Sequence, residues 1–229
     1  MNNINIGLIN LKNSELEKEM KEETYSGPFL NGLRHGKGIV YYKKNGKIKY
    51  EGNFVNGKYE GFGELHNENG LIKYIGYFKD NKYEGNGRLY DNDGKLEYKG
   101  QFVNGLKKGE GNEYHKNGNI KYEGNFVNDK FEGKGKYIYE NGYYYIGQFK
   151  NGLKEGNGVL YYPEGNIEYE GDFKEGKFHG KGKYYYKNGD YYIGQFKNGV
   201  CDGEGKEYDI KGNVLLEGNW KNDEFIGNL

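Results

Sequence analysis

A single motif recurs along nearly the whole chain at a period of 23 to 25 residues. It consists of an aromatic residue, any residue, a glycine, any residue and a second aromatic residue. Self-similarity at a fixed period of this length is the signature of a tandem repeat protein. We therefore predict an N-terminal extension over residues 1–24 and about nine repeats over residues 25–229. The repeats start at Tyr25, Tyr50, Tyr74, Tyr98, Tyr122, Tyr145, Tyr169, Tyr192 and, with leucine in place of tyrosine, Leu216.

Each repeat has the pattern of a β-hairpin. Side chains alternate between the two faces of a strand, so the aromatic residues and the glycine of the motif share one face. A dipeptide such as Asn128-Asp129 follows, and it is typical of the two-residue turn that closes a hairpin. Each tyrosine ring can then cover a glycine of the partner strand, which explains glycines inside strands that they would otherwise weaken. In this repeat the predicted pairs are Phe126 with Phe131, Gly124 with Gly133 and Tyr122 with Gly135.

The same register predicts complementary pairs in the other repeats. On the motif face it places rings opposite rings or cations, and on the other face it places opposite charges together. Such pairs contribute about 0.2–1 kcal/mol each. The ring pairs are Phe54–Tyr59, Phe78–Tyr83, Phe173–Phe178 and Trp220–Phe225. The cation–ring pairs are Phe29–Arg34, Phe102–Lys107 and Phe149–Lys154. The charge pairs are Glu123–Lys134, Glu170–Lys181 and Lys99–Glu110.

The connection between hairpins is predicted to take two forms. In most repeats a two-residue turn such as Asn69-Gly70 sets Leu65 opposite Tyr74 on the motif face. In the two 23-residue repeats a two-residue turn would reverse the faces, so three-residue loops are predicted at residues 140–142 and 187–189. The predicted fold is all-β: an elongated, single-layer antiparallel meander of hairpins, roughly 80 Å long at the usual strand spacing.

The N-terminal extension leaves two alternatives open. Residues 14–17 (Ser-Glu-Leu-Glu) match a capping box, which predicts a short helix over residues 14–23 that covers the edge of the first repeat. A frayed tail is the other alternative. Leu216 and Trp220 replace the usual tyrosine and phenylalanine in the ninth repeat, as suits a terminal cap.

The segment Tyr169-Glu-Gly-Asp-Phe-Lys-Glu-Gly-Lys-Phe-His-Gly-Lys-Gly closely resembles the MORN (membrane occupation and recognition nexus) repeat. It departs from the family pattern in that phenylalanine replaces the usual tryptophan except at Trp220. The resemblance implies a non-catalytic array of the kind found in cytoskeletal scaffolds, ciliary spoke proteins and junctional membrane proteins. Membrane or phosphoinositide binding, which has often been proposed for the family, is the alternative function that it implies.

The residue types that carry chemistry do not converge. His35 and His179 share one repeat position, and neighbouring repeats place that position about 10 Å apart, too far for a metal cluster or a carboxylate pair. Cys201 occupies a variable turn position. The Gly-x-Gly pairs lie within strands and precede no helix, so they do not form a phosphate loop. We therefore predict no catalytic, metal or cofactor site and no enzyme activity.

Charge and hydropathy limit the partners. The 34 acidic and 34 basic side chains cancel, and Arg34 and Arg88 are the sole arginines, which disfavours nucleic acid. The lysines at 134, 136, 181 and 183 could form a lipid stripe, but two of them face glutamates in the predicted register. There is no secretory signal and no apolar run of membrane-spanning length, so an intracellular, cytoplasmic protein is expected, with cytoskeletal or membrane association left open.

The predicted function is therefore a protein-binding or assembly scaffold, with self-association as a homodimer and weak phospholipid contact as further expectations. Tyrosine offers contact area and a hydroxyl at low entropic cost, so the motif face is the expected interaction face. Its candidate residues are Tyr50, Phe54, Tyr74, Phe78, Tyr98, Phe102, Tyr122, Phe126, Tyr145, Phe149, Tyr169, Phe173, Tyr192, Phe196 and Trp220.

Overall fold

The computed structural model describes residues 22–228. Every regular secondary-structure element of two or more residues in that range is a β-strand. The predicted helix at residues 14–23 lies outside the described residues, apart from its last two positions, and strand β1 already begins at Glu23. The chain divides into two units, which we describe separately: unit 1 extends to Gly105 and unit 2 begins at Leu106.

In unit 1 each strand pairs antiparallel with the next, with one exception in the first repeat. There a short hairpin whose two strands have two residues each, β2 and β3, lies between β1 and β4, and β1 pairs with β4. The strands are β1 (Glu23–Ser26), β2 (Phe29–Leu30), β3 (Leu33–Arg34), β4 (Gly36–Tyr42), β5 (Ile48–Val55), β6 (Lys58–His66), β7 (Ile72–Lys79), β8 (Lys82–Tyr90) and β9 (Leu96–Val103). Their order in the sheet is β1-β4-β5-β6-β7-β8-β9.

In unit 2 the strands pair antiparallel in the order of the sequence. They are β10 (Leu106–Tyr114), β11 (Ile120–Val127), β12 (Lys130–Ile138), β13 (Tyr144–Lys150), β14 (Leu153–Tyr161), β15 (Ile167–Lys174), β16 (Lys177–Tyr185), β17 (Tyr191–Lys197), β18 (Val200–Tyr208), β19 (Val214–Lys221) and β20 (Glu224–Gly227). The predicted all-β antiparallel meander of consecutive hairpins is therefore confirmed within each unit.

The turn inside each hairpin forms as predicted. Asn128 and Asp129 both adopt left-handed backbone conformations, with φ of 49° and 66°, as a primed two-residue turn requires. Phe126 consequently lies opposite Phe131, and the other predicted ring pairs within one unit are also confirmed: Phe54–Tyr59, Phe78–Tyr83, Phe173–Phe178 and Trp220–Phe225. Phe29–Arg34 and Phe149–Lys154 are also partners, whereas Phe102–Lys107 joins the two units and stays a prediction.

Beyond the first aromatic pair the predicted register is wrong by two residues. Asn125 pairs with Glu132, but Gly124 pairs with Gly135, so two residues of β12, Gly133 and Lys134, form a bulge opposite β11. Gly133 permits the bulge because it takes a left-handed φ of 66°. The corrected partners are Tyr122 with Tyr137, Glu123 with Lys136 and Glu170 with Lys183. The predicted pair Lys99–Glu110 joins the two units and stays a prediction.

The connections between hairpins are more uniform than predicted. The three-residue loop at residues 140–142 is confirmed, because Tyr139 N donates to Tyr143 O across it. The predicted two-residue turn Asn69-Gly70 is wrong, since Asn67 N donates to Leu71 O across a loop that is also three residues long. In the 24-residue repeats the extra residue is a one-residue bulge in the next strand, such as Lys73. The bulge keeps Leu65 opposite Tyr74, as predicted.

Candidate interaction faces

The sheet of each unit has two faces, which we call the inner face and the outer face. The inner face carries the tyrosine and phenylalanine of the motif, and it holds all fifteen candidate interaction residues. Their exposed fractions are 0% for Tyr50, Tyr74, Tyr98, Tyr122, Tyr145, Tyr169 and Tyr192, and between 1% and 6% for Phe54, Phe78, Phe102, Phe126, Phe149, Phe173, Phe196 and Trp220. These rings are the core of the protein, and the exposed ring edges expected from the sequence are not present on them.

The burial of each tyrosine has a specific structural cause. Tyr122 lies flat over the glycines of two paired strands, so that a Cβ atom added at Gly135 would be 2.5 Å from the tyrosine Oη. The other side of the ring stacks on Phe131 at a centroid distance of 3.9 Å. Phe126 of the same strand and Phe149 of the next repeat meet it edge-on, at 5.2 and 5.1 Å. A single sheet thus encloses its own aromatic side chains.

The tyrosine hydroxyls are also satisfied inside the protein. Each donates to the carbonyl of the residue three positions later, which lies beside the bulge. Burial raises the pKa of Tyr122 to about 12, so the hydroxyl stays protonated and keeps its role as a donor. The same bond recurs from Tyr25 to Pro28, Tyr50 to Asn53, Tyr74 to Tyr77, Tyr98 to Gln101, Tyr122 to Asn125, Tyr145 to Gln148, Tyr169 to Asp172 and Tyr192 to Gln195, with lengths of 2.9 to 3.3 Å.

The carboxylates of the position shared with His35 and His179 are structural groups. Glu60 accepts a hydrogen bond from the backbone N–H of Asp80 in the next turn, and Glu84 does the same for Asn104, at 3.2 and 2.9 Å. In unit 2, Glu132 and Glu155 accept equivalent bonds from Asn151 and Glu175. These carboxylates therefore tie one repeat to the next. Among residues 22–228 no group of three or more potential metal ligands comes together.

At three positions of the inner face a cation takes the place of a ring. These residues, Arg34, Lys107 and Lys154, are the cations of the cation–ring pairs predicted from the sequence. Arg34 lies over Tyr25 at 5.2 Å and bonds to Glu23 at 3.0 Å. Phe149 is the cross-strand partner of Lys154, but the ammonium of Lys154 lies over the rings of Tyr145 and Phe173, at 5.5 and 5.1 Å.

Lys107 belongs to a partly buried ion triad that the sequence analysis missed. Its ammonium and that of Lys121 both lie 2.8 Å from the carboxylate of Glu113. Burial alone would raise the pKa of Glu113, but the bonds from the two lysines outweigh burial and lower it. A glutamate at a position where most other repeats carry valine, leucine or tyrosine is the sequence signal that could have revealed the triad.

Cys201 is buried on the inner face. Burial raises the pKa of its thiol to about 12, with Asp223 acting in the same direction. Since the thiolate is the reactive form of cysteine, the side chain is held in its unreactive state at neutral pH. The prediction of a tolerated structural position is consistent with this environment.

The outer face of unit 2 presents one continuous row of side chains, one from each of the strands β10 to β19. Opposite charges are neighbours in it: Glu123 lies beside Lys136, Glu170 beside Lys183, and Lys206 bonds to Glu217 at 2.7 Å. Ile146 and Ile193 stand between these pairs and are 44% and 43% exposed. The outer face of unit 2 is therefore charge-balanced, with apolar side chains accessible between the charges.

A third surface follows the turns inside the hairpins, and we call it the turn edge. In unit 2 it carries the exposed lysines 130, 150, 174, 177, 197 and 221, with the exposed aliphatic residues Leu106, Val127 and Leu153 between them. Lys221 bonds to Asp202 at 3.0 Å. The lysine stripe considered in the sequence analysis, at residues 134, 136, 181 and 183, lies on the sheet faces and not on this edge.

The chain was compared with known protein families and with curated proteins. The MORN repeat matches residues 25–47, 50–72, 74–95, 98–120, 122–142, 145–167, 169–191 and 192–214, well over half of the chain. No curated protein matches it. In the part of the chain that the structure describes, no helix is long and apolar enough to cross a membrane. The repeat matches, together with the hairpins that they form, place the chain in the MORN repeat family.

Proposed function

We propose that this MORN repeat protein is a non-catalytic scaffold that binds partner proteins through the outer faces of its sheets. The observation that carries the proposal is the exposure of large apolar side chains there, Ile146 and Ile193 in unit 2 and Phe62 and Tyr77 in unit 1, all between 43% and 52% exposed. Apolar side chains between charged ones on a soluble surface are typical of a protein interface. This surface replaces the inner face expected from the sequence.

The inner face supports the scaffold role in a different way. The glutamates that precede the Gly-x-Gly segments bond to backbone N–H groups of neighbouring turns, the tyrosine hydroxyls of the inner face bond to carbonyls, and the buried thiol of Cys201 is protonated. Groups that could act as acids, bases or nucleophiles are therefore engaged in holding the repeats together. An intracellular site of action near the cytoskeleton or a membrane is part of the same proposal.

Affinity capture with the full chain tests the proposal. Ile146→Ser combined with Ile193→Ser removes the exposed apolar groups from the outer face of unit 2 while leaving the inner face intact. We expect captured proteins to be lost from this variant and retained by a matched control, Ile210→Ser with Val214→Ser, which changes exposed apolar residues near the loops between hairpins. Equal capture by both variants would contradict the outer face as the binding surface. Tyrosine-to-serine variants of the inner face cannot serve here because they would disrupt the core.

Peripheral membrane binding is a second candidate function, and the turn edge of unit 2 is the observation that favours it. The same turns also carry the exposed acidic residues Asp129, Glu175, Asp223 and Glu224, so the six lysines leave an excess of two positive charges. Lysines near an anionic membrane contribute about 1 kcal/mol each, so this excess offers an attraction of about 2 kcal/mol. Leu153 and Val127, 50% and 44% exposed, could enter the interface beside them.

Flotation with vesicles that contain anionic phosphoinositides tests this second function. Membrane binding predicts that the full chain floats at low salt and that Lys150→Gln, Lys174→Gln and Lys177→Gln together abolish flotation. Lys134→Gln with Lys181→Gln, on the sheet faces, is the control and should float like the wild type. A wild-type chain that stays in the lower fraction would exclude this function for these lipids.

A further inference from the structure

The outer face of unit 1 carries a row of charges in an unusual order. Reading across the strands β5 to β9, the row is Glu51, Glu64, Ile75, Arg88 and Lys99, and each residue is the direct partner of the next. Two acidic residues are therefore neighbours on one side of Ile75, and two basic residues are neighbours on the other side. Like charges directly opposite each other destabilise a sheet.

The corresponding row of unit 2 shows that the fold does not require this arrangement. There Glu123 faces Lys136 and Glu170 faces Lys183, so opposite charges are adjacent. In unit 1 Glu64 lies 3.8 Å from His66 Nε2. Within residues 22–228 Glu51, Arg88 and Lys99 form no ion pair. The unit 1 row thus leaves Glu51, Arg88 and Lys99 available to a partner, and among the described residues Glu64 is engaged only by its long contact with His66.

The order of the row is symmetric about Ile75 with the sign of the charge reversed. Neighbouring strands lie about 4.8 Å apart, so Glu64 and Arg88 stand about 5 Å on either side of Ile75, and Glu51 and Lys99 about 10 Å. A two-fold axis parallel to the strands at Ile75 would therefore bring each acidic residue of one copy onto a basic residue of the other. Self-complementarity of this kind defines an isologous interface.

Apolar side chains accompany the centre of the row. Phe62 and Tyr77 are direct partners, their rings meet edge-on at a centroid distance of 5.7 Å, and they are 51% and 52% exposed. A cleft of about 640 Å³ lies beside them, lined by Glu51, Glu64 and Phe62 among others. An apolar centre flanked by charges is the usual composition of a protein interface.

We propose that the outer face of unit 1 binds a second copy of this chain, face to face, around a two-fold axis at Ile75. The inference rests on the scaffold function and deepens it by naming one partner. Glu64 and Glu51 of each copy meet Arg88 and Lys99 of the other, while Ile75, Phe62 and Tyr77 are covered at the centre. The row is about 20 Å wide from β5 to β9, so the buried area falls below the roughly 800 Å² per partner of a stable interface. The dimer is consequently weak and salt-sensitive.

Sedimentation velocity over a range of concentrations tests the proposal through exchanged charges. Glu51→Lys with Glu64→Lys gives a wholly basic row, and Arg88→Glu with Lys99→Glu gives a wholly acidic one. Each variant alone should be monomeric, with the dimer dissociation constant raised at least about tenfold. An equimolar mixture should form a heterodimer, and the chain with all four substitutions should recover the homodimer. Raising the salt concentration should weaken both complexes because it screens exposed charges.

The control variant is Lys134→Glu with Lys181→Glu, which makes on unit 2 the same change in net charge as Arg88→Glu with Lys99→Glu and should dimerise like the wild type. Far-ultraviolet circular dichroism confirms that each variant is folded. A wild-type chain that stays monomeric at all concentrations, or charge variants that are not rescued by mixing, would overturn the proposal. The scaffold function itself would survive that result if Ile146→Ser with Ile193→Ser still abolished capture of other proteins.

Discussion

The contact between each tyrosine ring and its cross-strand glycine can be tested with one methyl group. Gly135→Ala adds a Cβ atom that would lie 2.5 Å from Oη and 2.7 Å from Cε2 of Tyr122. The backbone of Gly135 does not have a positive φ, so alanine fits its conformation. The cost of the substitution therefore comes from the collision with the ring and not from backbone strain.

The size of the effect follows from what surrounds Tyr122. The ring cannot simply move away, because Phe131 stacks on its other side at 3.9 Å. Overpacking of this kind costs about 1–3 kcal/mol. Displacing the ring also weakens its stacking and the hydroxyl bond to Asn125, each worth about 1 kcal/mol. Alanine recovers about 0.5–1 kcal/mol through its better strand propensity, so we expect a net loss of about 2–3 kcal/mol.

Urea denaturation of the full chain measures this loss, with two comparisons in the same strand. Gly133→Ala has a φ of 66° and no heavy atom within 4 Å of the added Cβ, so it should cost only the backbone strain of about 1 kcal/mol. Lys134→Ala removes an exposed side chain and should be close to neutral. The expected order of destabilisation is Gly135, then Gly133, then Lys134.

A double substitution decides whether the ring is the cause. With Tyr122→Leu already present, no ring lies over Gly135, and Gly135→Ala should then cost less than about 1 kcal/mol. If Gly135→Ala is as harmful in that background as in the wild type, the loss does not arise at the ring, and the account of how the core is closed would be wrong.

Three further predictions address other parts of the inner face and the connections. Tyr122→Phe leaves the ring in place but removes its bond to Asn125, so it should lower the free energy of unfolding in urea by about 1 kcal/mol. The pKa of Glu113 is lower in the folded chain, so its contribution to stability is present above its ordinary pKa of about 4.3 and is lost as the pH falls through the folded value; denaturation of Glu113→Gln between neutral and acidic pH should lack that part of the decline. Deletion of Lys73 removes a bulge residue that is exposed, and it should shorten the repeat to the 23-residue form with little change in the melting temperature and an unchanged circular dichroism spectrum.

The part of the fold that could be predicted is local. Left-handed turn residues and alternating aromatic residues act over five or six positions, and they place Phe126 opposite Phe131. Two residues further on, the alternation of residues does not determine the backbone conformation. Gly133 can continue the strand or adopt a positive φ, and it takes the latter because the bulge brings Gly135 beneath Tyr122. The bulge is stabilised by a packing contact between two strands. The sequence pattern of one strand alone contains no information about that contact.

The exposure of the rings could not be predicted for a related reason. A single-layer sheet leaves both faces open if each repeat is considered alone, which is why the inner face was expected to bind partners. In the structure Phe149 closes the edge of Tyr122, although it lies in the next repeat. Burial of one repeat therefore depends on its neighbour, as in other proteins built from stacked units. The lysine that replaces a ring at Lys107 bonds to Glu113 of its own strand, and Glu113 in turn bonds to Lys121 of the neighbouring strand.

The two faces of the sheet differ in how strongly packing restricts the residue type. It restricts the residue type on the inner face and leaves it free on the outer face. On the inner face the first aromatic residue is tyrosine in eight successive repeats, because only that side chain both covers the paired glycines and reaches the carbonyl at the bulge. On the outer face the same sheet accepts glutamate, isoleucine, arginine or lysine at one position of successive strands. Since the backbone holds these side chains at a regular spacing of about 4.8 Å, the order of residues in the outer row would distinguish one partner from another in the proposed scaffold. The reversal of charge about Ile75 is one such order, and a partner that matches it must carry the opposite sequence of charges at the same spacing.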